Sequence, residues 1–291
     1  MHENVKIRIG CPVWSCPHWR GSVYKPKSPR SAWLREYSHA FSTVEGNSTF
    51  YAIPTEDTFK RWTDDTAEDF KFVLKFPRVI SHERKLVGAE FETDLFLSGL
   101  DIMLDAGKLG PSFIQLAPSF GPSSLNNLAK YLDQLPQQFP YAVEVRHPDF
   151  FKEPFQTQLN ELLIEHAVDR VIFDSRPLFS APPEDEIEEV SQQRKPNVPV
   201  QKQVTSKTPI VRLVGRNDLS QLDACTVEWS QQLLAWKKEG LEPYIFTHTP
   251  DDRFAPRFAE MMHQAITAVD ESTKPLGLQK LQPKLIQQSL F

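Results

Sequence analysis

The segment YAVEVRH, residues 141–147, alternates apolar and charged side chains along a run of strand-forming residues. Neighbouring side chains of an extended strand point to opposite faces, so Val143 and Val145 share one face and Glu144 and Arg146 the other. In a parallel barrel the two valines take the helix-facing phase, which turns Glu144 and Arg146 inward. Seven further runs of strand-forming residues occur: VKIRIG (5–10), FSTVEGN (41–47), FKFVLKF (70–76), SFIQLA (112–117), RVIFDS (170–175), PIVRLVG (209–215) and PYIFTH (243–248). Between them the spacing predicts helices over 29–40, 55–66, 91–106, 124–135, 156–166, 227–239 and 255–268. Ser28 before Pro29 reads as an N-terminal cap, and Thr55 as another.

Eight strands alternating with helices is the count of an α/β (β/α)8 TIM barrel, and 291 residues suit one such domain. A doubly wound open sheet is the alternative, but no glycine-rich phosphate loop follows the first strand. The barrel domain is expected over residues 1–270. Residues 181–208, APPEDEIEEVSQQRKPNVPVQKQVTSKT, are Pro-rich and charged and read as an extended sixth βα connection with a short helix near 184–192. Residues 271–291 read as a flexible linker and C-terminal interaction tail.

A 40% hydrophobic composition with 20 Phe, 6 Trp and 6 Tyr supplies one large core. Cys11, Cys16 and Cys225 are too few and too unevenly spaced for a disulfide framework, and are expected as reduced thiols. No apolar run is long enough to span a bilayer and the N-terminal segment lacks a leader pattern, so a cytoplasmic protein without membrane contact is expected. A net charge of −5 and a pI near 5.9 argue against a broad, electrostatically driven nucleic-acid binder.

Applying the strand alternation throughout puts Glu45, Asn47, Lys75, Gln115, Glu144, Arg146, Asp174 and Arg212 in the inward phase, all but Arg212 near the C-terminal ends of their strands. Barrel enzymes hold their active sites at that end. Three carboxylates and three cations at one mouth must pair with each other or await a ligand, because burying them singly costs too much. A divalent metal could be held by Glu45, Glu144, His147 and Asp174, with His82 or His248 nearby, but Lys75, Arg146 and Arg212 would repel the ion. No cofactor is therefore expected, with a divalent metal as the lesser alternative.

Without a metal, Lys75, Arg146 and Arg212 form a floor for a phosphate or carboxylate. Glu45 or Glu144 is then the general base or acid, with Lys75 or His82 as the opposite partner. A Lys75–Glu45 ion pair and a Schiff-base Lys75 are two further readings, and a two-carboxylate glycosidase is a third. His147 is out of phase with Glu144 and belongs at the rim, where Trp14 of CPVWSCPHWRGSVY and Tyr51 of NSTFYAIP offer flat faces to an organic ligand.

VEGNSTFYAIP, FKFVLKFPRVISHE, QLAPSFGP, YAVEVRHPDFF, RVIFDSRP and YIFTHTPD, in this order, resemble the YecE-like family, domain of unknown function 72, over almost the whole chain. The resemblance implies a TIM barrel and a pocket at Glu45, Asn47, Lys75, Gln115, Glu144, Arg146, His147 and Asp174, and it implies no particular reaction. The chain departs from many relatives at GCPVW in the first loop and at THTPDD after the last strand, where His248 stands in place of an amide.

The final residues QQSLF look like the pentapeptide that bacterial replication and repair proteins insert into the sliding clamp. Gln287 would fill a polar subsite while Leu290 and Phe291 fill an apolar pocket. The sequence thus supports a metal-independent hydrolase or lyase acting on a small anionic substrate, nucleotide-like or part of a nucleic acid. The alternatives are a non-catalytic clamp-associated protein with a regulatory ligand pocket, and the glycosidase. A labelled 271–291 peptide is expected to bind a purified bacterial sliding clamp with micromolar affinity and to lose that binding in the Leu290→Ala/Phe291→Ala peptide. Equal binding by both peptides would refute the motif.

Overall fold

A computed structural model describes residues 5–273 and 275–278; Gln287, Leu290 and Phe291 lie outside the described residues. The strands are β1 (Arg8–Gly10), β2 (Thr43–Gly46), β3 (Lys71–Leu74), β4 (Ser112–Gln115), β5 (Tyr141–Glu144), β6 (Asp169–Arg170), β7 (Ile172–Asp174), β8 (Ile210–Val214) and β9 (Tyr244–His248). The α-helices are α1 (Trp33–Ala40), α2 (Ser48–Tyr51), α3 (Glu56–Asp64), α4 (Glu90–Asp105), α5 (Leu125–Gln134), α6 (Phe155–Glu165), α7 (Glu186–Arg194), α8 (Asp223–Lys238) and α9 (Ala255–Thr267). Each expected strand is present in shortened form, and the run at 170–175 is split between β6 and β7.

All strand pairs are parallel, which makes this an α/β fold. They form three sheets, β1–β9–β8–β7, β2–β3 and β4–β5–β6. Isolated hydrogen bonds run between these groups. Glu45 N donates to Cys11 O (3.1 Å), Phe76 N to Phe113 O (2.9 Å), and Val171 N continues β6 along β5 by donating to Val143 O (2.9 Å). Gly10 permits the approach of β1 to β2, because a Cβ there would lie 2.2 Å from Thr43 O.

The helices follow their sequence signals with one exception. Thr55 caps α3 by accepting from Thr58 N, and Leu128, Tyr131 and Leu132 form the buried stripe of α5. Ser28, expected as a cap, instead donates to Glu36 Oε1 (2.8 Å), and a 3-10 turn over Arg30–Ala32 leads into α1. In the long connection the helix forms as α7, where Asp185 Oδ1 accepts from Glu188 N (2.7 Å). Of the stretch expected as a linker, Gly277 N donates to Ala40 O (3.2 Å), and Leu276 and Leu278 pack on the core. No helix among the described residues is long and apolar enough to cross a membrane.

Two apolar regions matter for the site. The large one lies between strands and helices; the smaller one comprises Val73, Phe113, Ala142, Val171, Ile210, Tyr244 and Phe246. Val73, Phe113, Ala142, Ile210 and Phe246 each precede by two residues a member of the polar cluster described below, Lys75, Gln115, Glu144, Arg212 and His248, and Val171 so precedes Phe173, whose ring packs on Arg212. The smaller cluster therefore forms an apolar floor.

Asp169 sits at the opposite, N-terminal side of the strands. Burial pushes its carboxyl up to about 6, against hydrogen bonds from Thr208, and its Oδ1 has no partner. Because the folded value lies above the unfolded one, stability is highest below about pH 4 for this group and falls as pH rises to about 6. Asp169→Asn keeps an acceptor for Thr208 and should raise stability at pH 8 by up to about 3 kcal/mol, with the gain shrinking at pH 4. Urea unfolding at the two pH values checks this, and a pH-independent difference would contradict it.

Candidate functional site

The centre of the site is Arg212 on β8, a buried guanidinium that bonds two carboxylates from other strands. Its Nε and Nη2 donate to Glu45 Oε2 (2.7 Å) and Oε1 (2.8 Å), and its Nη1 donates to Glu144 Oε2 (2.5 Å). Phe113 and Phe173 lie with ring centres 5.5 Å from the guanidinium carbon, one from each of two further strands.

Both carboxylates accept further hydrogen bonds. Glu45 accepts from Asn47 Nδ2 (2.7 Å) and from His248 Nε2 (3.2 Å), while Glu144 Oε1 accepts from Gln115 Nε2 (2.7 Å) and Arg146 Nε (2.8 Å). Asn47 Nδ2 also reaches Pro12 O (3.0 Å), tying the first loop to the site. Among the described residues Lys75 is bonded to neither carboxylate. Its Nζ donates to Gln115 Oε1 (2.8 Å) and stands 3.7 Å from the centre of the Phe50 ring, so the expected Lys75–Glu45 ion pair is replaced by a contact with a neutral amide. His82 packs edge-on to the same Phe50 ring at 5.0 Å, with Nδ1 2.9 Å from Ser81 Oγ.

The electrostatics follow from this pattern. Burial alone would raise the Glu45 carboxyl, but Arg212 and His248 hold it well below the usual range. Burial likewise opposes ionisation of Glu144, and Arg212 with Arg146 overrides it to about 2. The charges of Glu45 and Glu144 are thus matched by those of Arg212 and Arg146. Lys75 is a surplus cation, and burial together with Arg212 brings it down to about 7. Burial, Lys75 and Arg146 lower His82 to about 4; burial does the same to His248, against the pull of Glu45. Both imidazoles are neutral near pH 7, so His248 carries its proton on Nε2, facing Glu45.

One component was missed in the sequence. Lys195, directly after α7, comes from the Pro-rich connection to within electrostatic reach of Arg212, Glu45, Arg146 and Glu144. Its ammonium makes no hydrogen bond or ion pair among the described residues. Burial and then Arg212 lower it to about 8, and Asp252 feels its charge. The segment is fixed by Ser175 Oγ, at the end of β7, donating to Pro196 O (2.8 Å). No periodicity marks such a residue; the only sequence signal was the length of the connection.

Asp174 and Trp14 are placed otherwise than expected, and His147 and Tyr51 lie at the rim. Asp174 has the opposite phase: Phe173 takes the inward position, while Asp174 accepts from Trp229 Nε1 (2.8 Å) on α8 and from Arg176 Nη2 (2.7 Å). Trp14 packs edge-on against Trp62 (5.1 Å) and Phe72 (6.2 Å), which makes it a packing residue rather than a stacking platform. His147 is at the rim, its Nδ1 accepting from Asp149 N (3.3 Å). Tyr51 is exposed at the end of α2, edge-on to Phe50. The separation of Asp174 from Glu45 and Glu144 dismantles the metal-ligand set considered above, and no group of three or more His, Cys, Asp and Glu among the described residues is arranged to hold a metal ion.

The family model "Protein of unknown function DUF72" matches residues 8–284. The chain belongs to the DUF72 family. It is similar to the UPF0759 protein YecE of Escherichia coli K12, with 37% identity over 287 residues covering 98% of this chain and 100% of that protein. It is also similar to the UPF0759 protein YunF of Bacillus subtilis, 31% identical over 52% of this chain and 55% of the relative. Crystal structures of DUF72 family proteins share the fold. One from Enterococcus faecalis has a TM-score of 0.69 at 20% identity, covering 90% of this chain and 96% of that one. One from Thermotoga maritima has a TM-score of 0.63 at 19% identity, covering 90% and 99%.

Within this DUF72 protein Arg212 is expected to be the most sensitive site position for stability. Arg212→Met leaves two buried carboxylates without their cation and should cost about 3–5 kcal/mol or prevent folding. The triple substitution Glu45→Gln/Glu144→Gln/Arg212→Met should recover much of that loss. Denaturant unfolding of the two variants tests this, and a single variant as stable as wild type would show that the ion pairs do not hold the site.

Proposed function

We propose that this protein is a cytoplasmic enzyme that carries out metal-independent acid/base chemistry, of the hydrolase or lyase type, on a small anionic substrate. The supporting observation is the charge balance: two carboxylates are spent on two guanidiniums, and the amines of Lys75 and Lys195 are left over. Among the described residues Arg146 is bonded only through Nε, to Glu144, which leaves its Nη1 and Nη2 for an incoming phosphate or carboxylate.

The same balance reassigns the roles expected from sequence. Carboxylates held as low as Glu45 and Glu144 are weak bases and cannot be acids near neutrality. They serve as the frame that positions Arg212, Gln115 and Asn47. Lys75, poised near 7, and the neutral His82 are the groups suited to move a proton at neutral pH. A retaining or inverting glycosidase needs one protonated carboxyl, so the electrostatics favour the amine over that alternative. A flat, nucleotide-like portion of the substrate would find Phe50 and the exposed Tyr51 at the mouth.

The architecture we infer for this site is a (β/α)8 barrel in which the three parallel sheets form one ring, joined through the isolated bonds from β1 to β2, from β3 to the β4 segment, and from Val171 to β5. The polar cluster would then lie above the apolar floor at the C-terminal end of the strands, where barrel enzymes bind substrate. Clamp association through Gln287, Leu290 and Phe291 is a separate proposal that rests on the pentapeptide alone.

Thermal unfolding in inorganic phosphate and in small carboxylates, at constant ionic strength, tests the anion site. Wild-type protein should be stabilised by at least one of these anions, and Arg146→Gln should bind it about tenfold more weakly, a loss of about 1.4 kcal/mol. An anion that stabilises both proteins equally would place its binding away from Arg146.

A further inference from the structure

We propose that Lys75 is an imine-forming lysine, whose amine condenses with the carbonyl carbon of a small substrate that also carries an anionic group. The inference deepens the anion-pocket reading above and rests on it for the second half of that substrate class.

The geometry around Lys75 differs from that of a structural lysine. A buried ammonium ordinarily stands on a carboxylate, and two carboxylates are close by. Neither bonds the amine: Glu45 accepts from Arg212, Asn47 and His248, and Glu144 from Arg212, Arg146 and Gln115. The amine is left with the neutral Gln115 Oε1 at 2.8 Å, a ring face at 3.7 Å, and two permanent guanidiniums as neighbours. Gln115 cannot turn over to help, because its Nε2 donates to Glu144 (2.7 Å) and so fixes Oε1 toward Lys75.

This surrounding favours the neutral amine, which is the nucleophilic form. A lysine with a value of about 7 is half deprotonated under ordinary conditions. The site also has an open side. Asn47, Phe50, His82 and Arg146 are all only partly buried, whereas Glu45, Glu144 and Arg212 are covered. A small carbonyl compound entering between Phe50 and Arg146 would bring its carbonyl to Lys75 and its anion to the unengaged nitrogens of Arg146. Lys195 is the other amine of lowered basicity near Arg212, and it stands on the connection after α7 rather than at the end of β3.

The step balances without a further reagent. The neutral Nζ adds to the carbonyl carbon, forming a C–N bond as the carbonyl π electrons move to oxygen, which takes the proton released by the nitrogen. The carbinolamine C–O bond then breaks after a second proton, supplied by solvent, reaches the hydroxyl. Water leaves, and the nitrogen lone pair completes a protonated imine. This cation takes the place of the ammonium beside Gln115 and over Phe50, and becomes an electron sink for bond breaking or proton loss at the adjacent carbon.

The test uses the full chain at neutral pH with glyoxylate, an anionic aldehyde, or acetaldehyde, its uncharged counterpart. Sodium cyanoborohydride traps any imine as a stable adduct, which intact mass and peptide mapping locate. The expected result is a single glyoxylate adduct on Lys75, formed at least tenfold faster than at any other lysine and absent from Lys75→Met. Arg146→Gln should slow the glyoxylate adduct at least tenfold more than it slows the acetaldehyde adduct. If glyoxylate stabilises the protein in an Arg146-dependent way but its adducts fall on Lys195 or are spread over exposed lysines, the imine assignment is overturned and the anion pocket stands. If Lys75 reacts equally fast with both aldehydes, and Arg146→Gln changes neither rate, the imine stands and the anionic requirement is overturned.

Discussion

The Arg212 guanidinium is bonded to Glu45, 167 residues earlier in the chain, and to Glu144, 68 residues earlier, and much else in the site follows from those contacts. A planar cation with donors along two edges can satisfy one carboxylate bidentately and still reach a second. This arrangement holds three strands in register at their inner face. It also occupies both carboxylates, while the neighbouring lysine bonds an amide. The reactivity we assign to Lys75 is thus a consequence of how well Arg212 is satisfied.

Placing such a network in the interior requires that water be excluded below it and admitted above it. The apolar floor of Val73, Phe113, Ala142, Val171, Ile210, Tyr244 and Phe246 does the first. The rings of Phe113 and Phe173 complete it by facing the guanidinium, an environment that tolerates a cation better than an aliphatic surface would. Above, partly exposed Asn47, Phe50, His82 and Arg146 form the approach. A buried ion-pair network is weak evidence for stability, since desolvation offsets much of the Coulomb gain. Its value here lies in fixed geometry.

The long connection before β8 adds a component that the strands do not supply. Glu188 of α7 is buried against Arg216, accepting from Nη2 (2.6 Å), and Asn217 N donates to the same carboxylate (2.9 Å), so the connection is anchored to the end of β8. From this anchor the chain runs back over the site and delivers Lys195. The charge beside Glu45 and Glu144 is therefore set jointly by the strand ends, which carry Lys75 beyond the two matched pairs, and by the connection, which adds Lys195.

Alternation in short strands was enough to find Glu45, Lys75, Gln115, Glu144 and Arg212 together, because each lies on a strand whose apolar face is unambiguous, as in YAVEVRH. It failed at Asp174, where an aspartate and a phenylalanine compete for the inward position. An Arg212 guanidinium inside and a Trp229 indole N–H outside reverse the usual preference, and neither partner is visible locally. Trp14 is a similar case, since only the packing of α3 beside it supplied Trp62. The sequence by itself determined the parallel α/β order, the polar residues that strands carry to one end, and the DUF72 membership. Tertiary structure decided which charges pair, which amine is left without a carboxylate, and that Lys195 belongs to the site. Those outcomes depend on distances between segments far apart in the chain, and local periodicity contains no information about such distances.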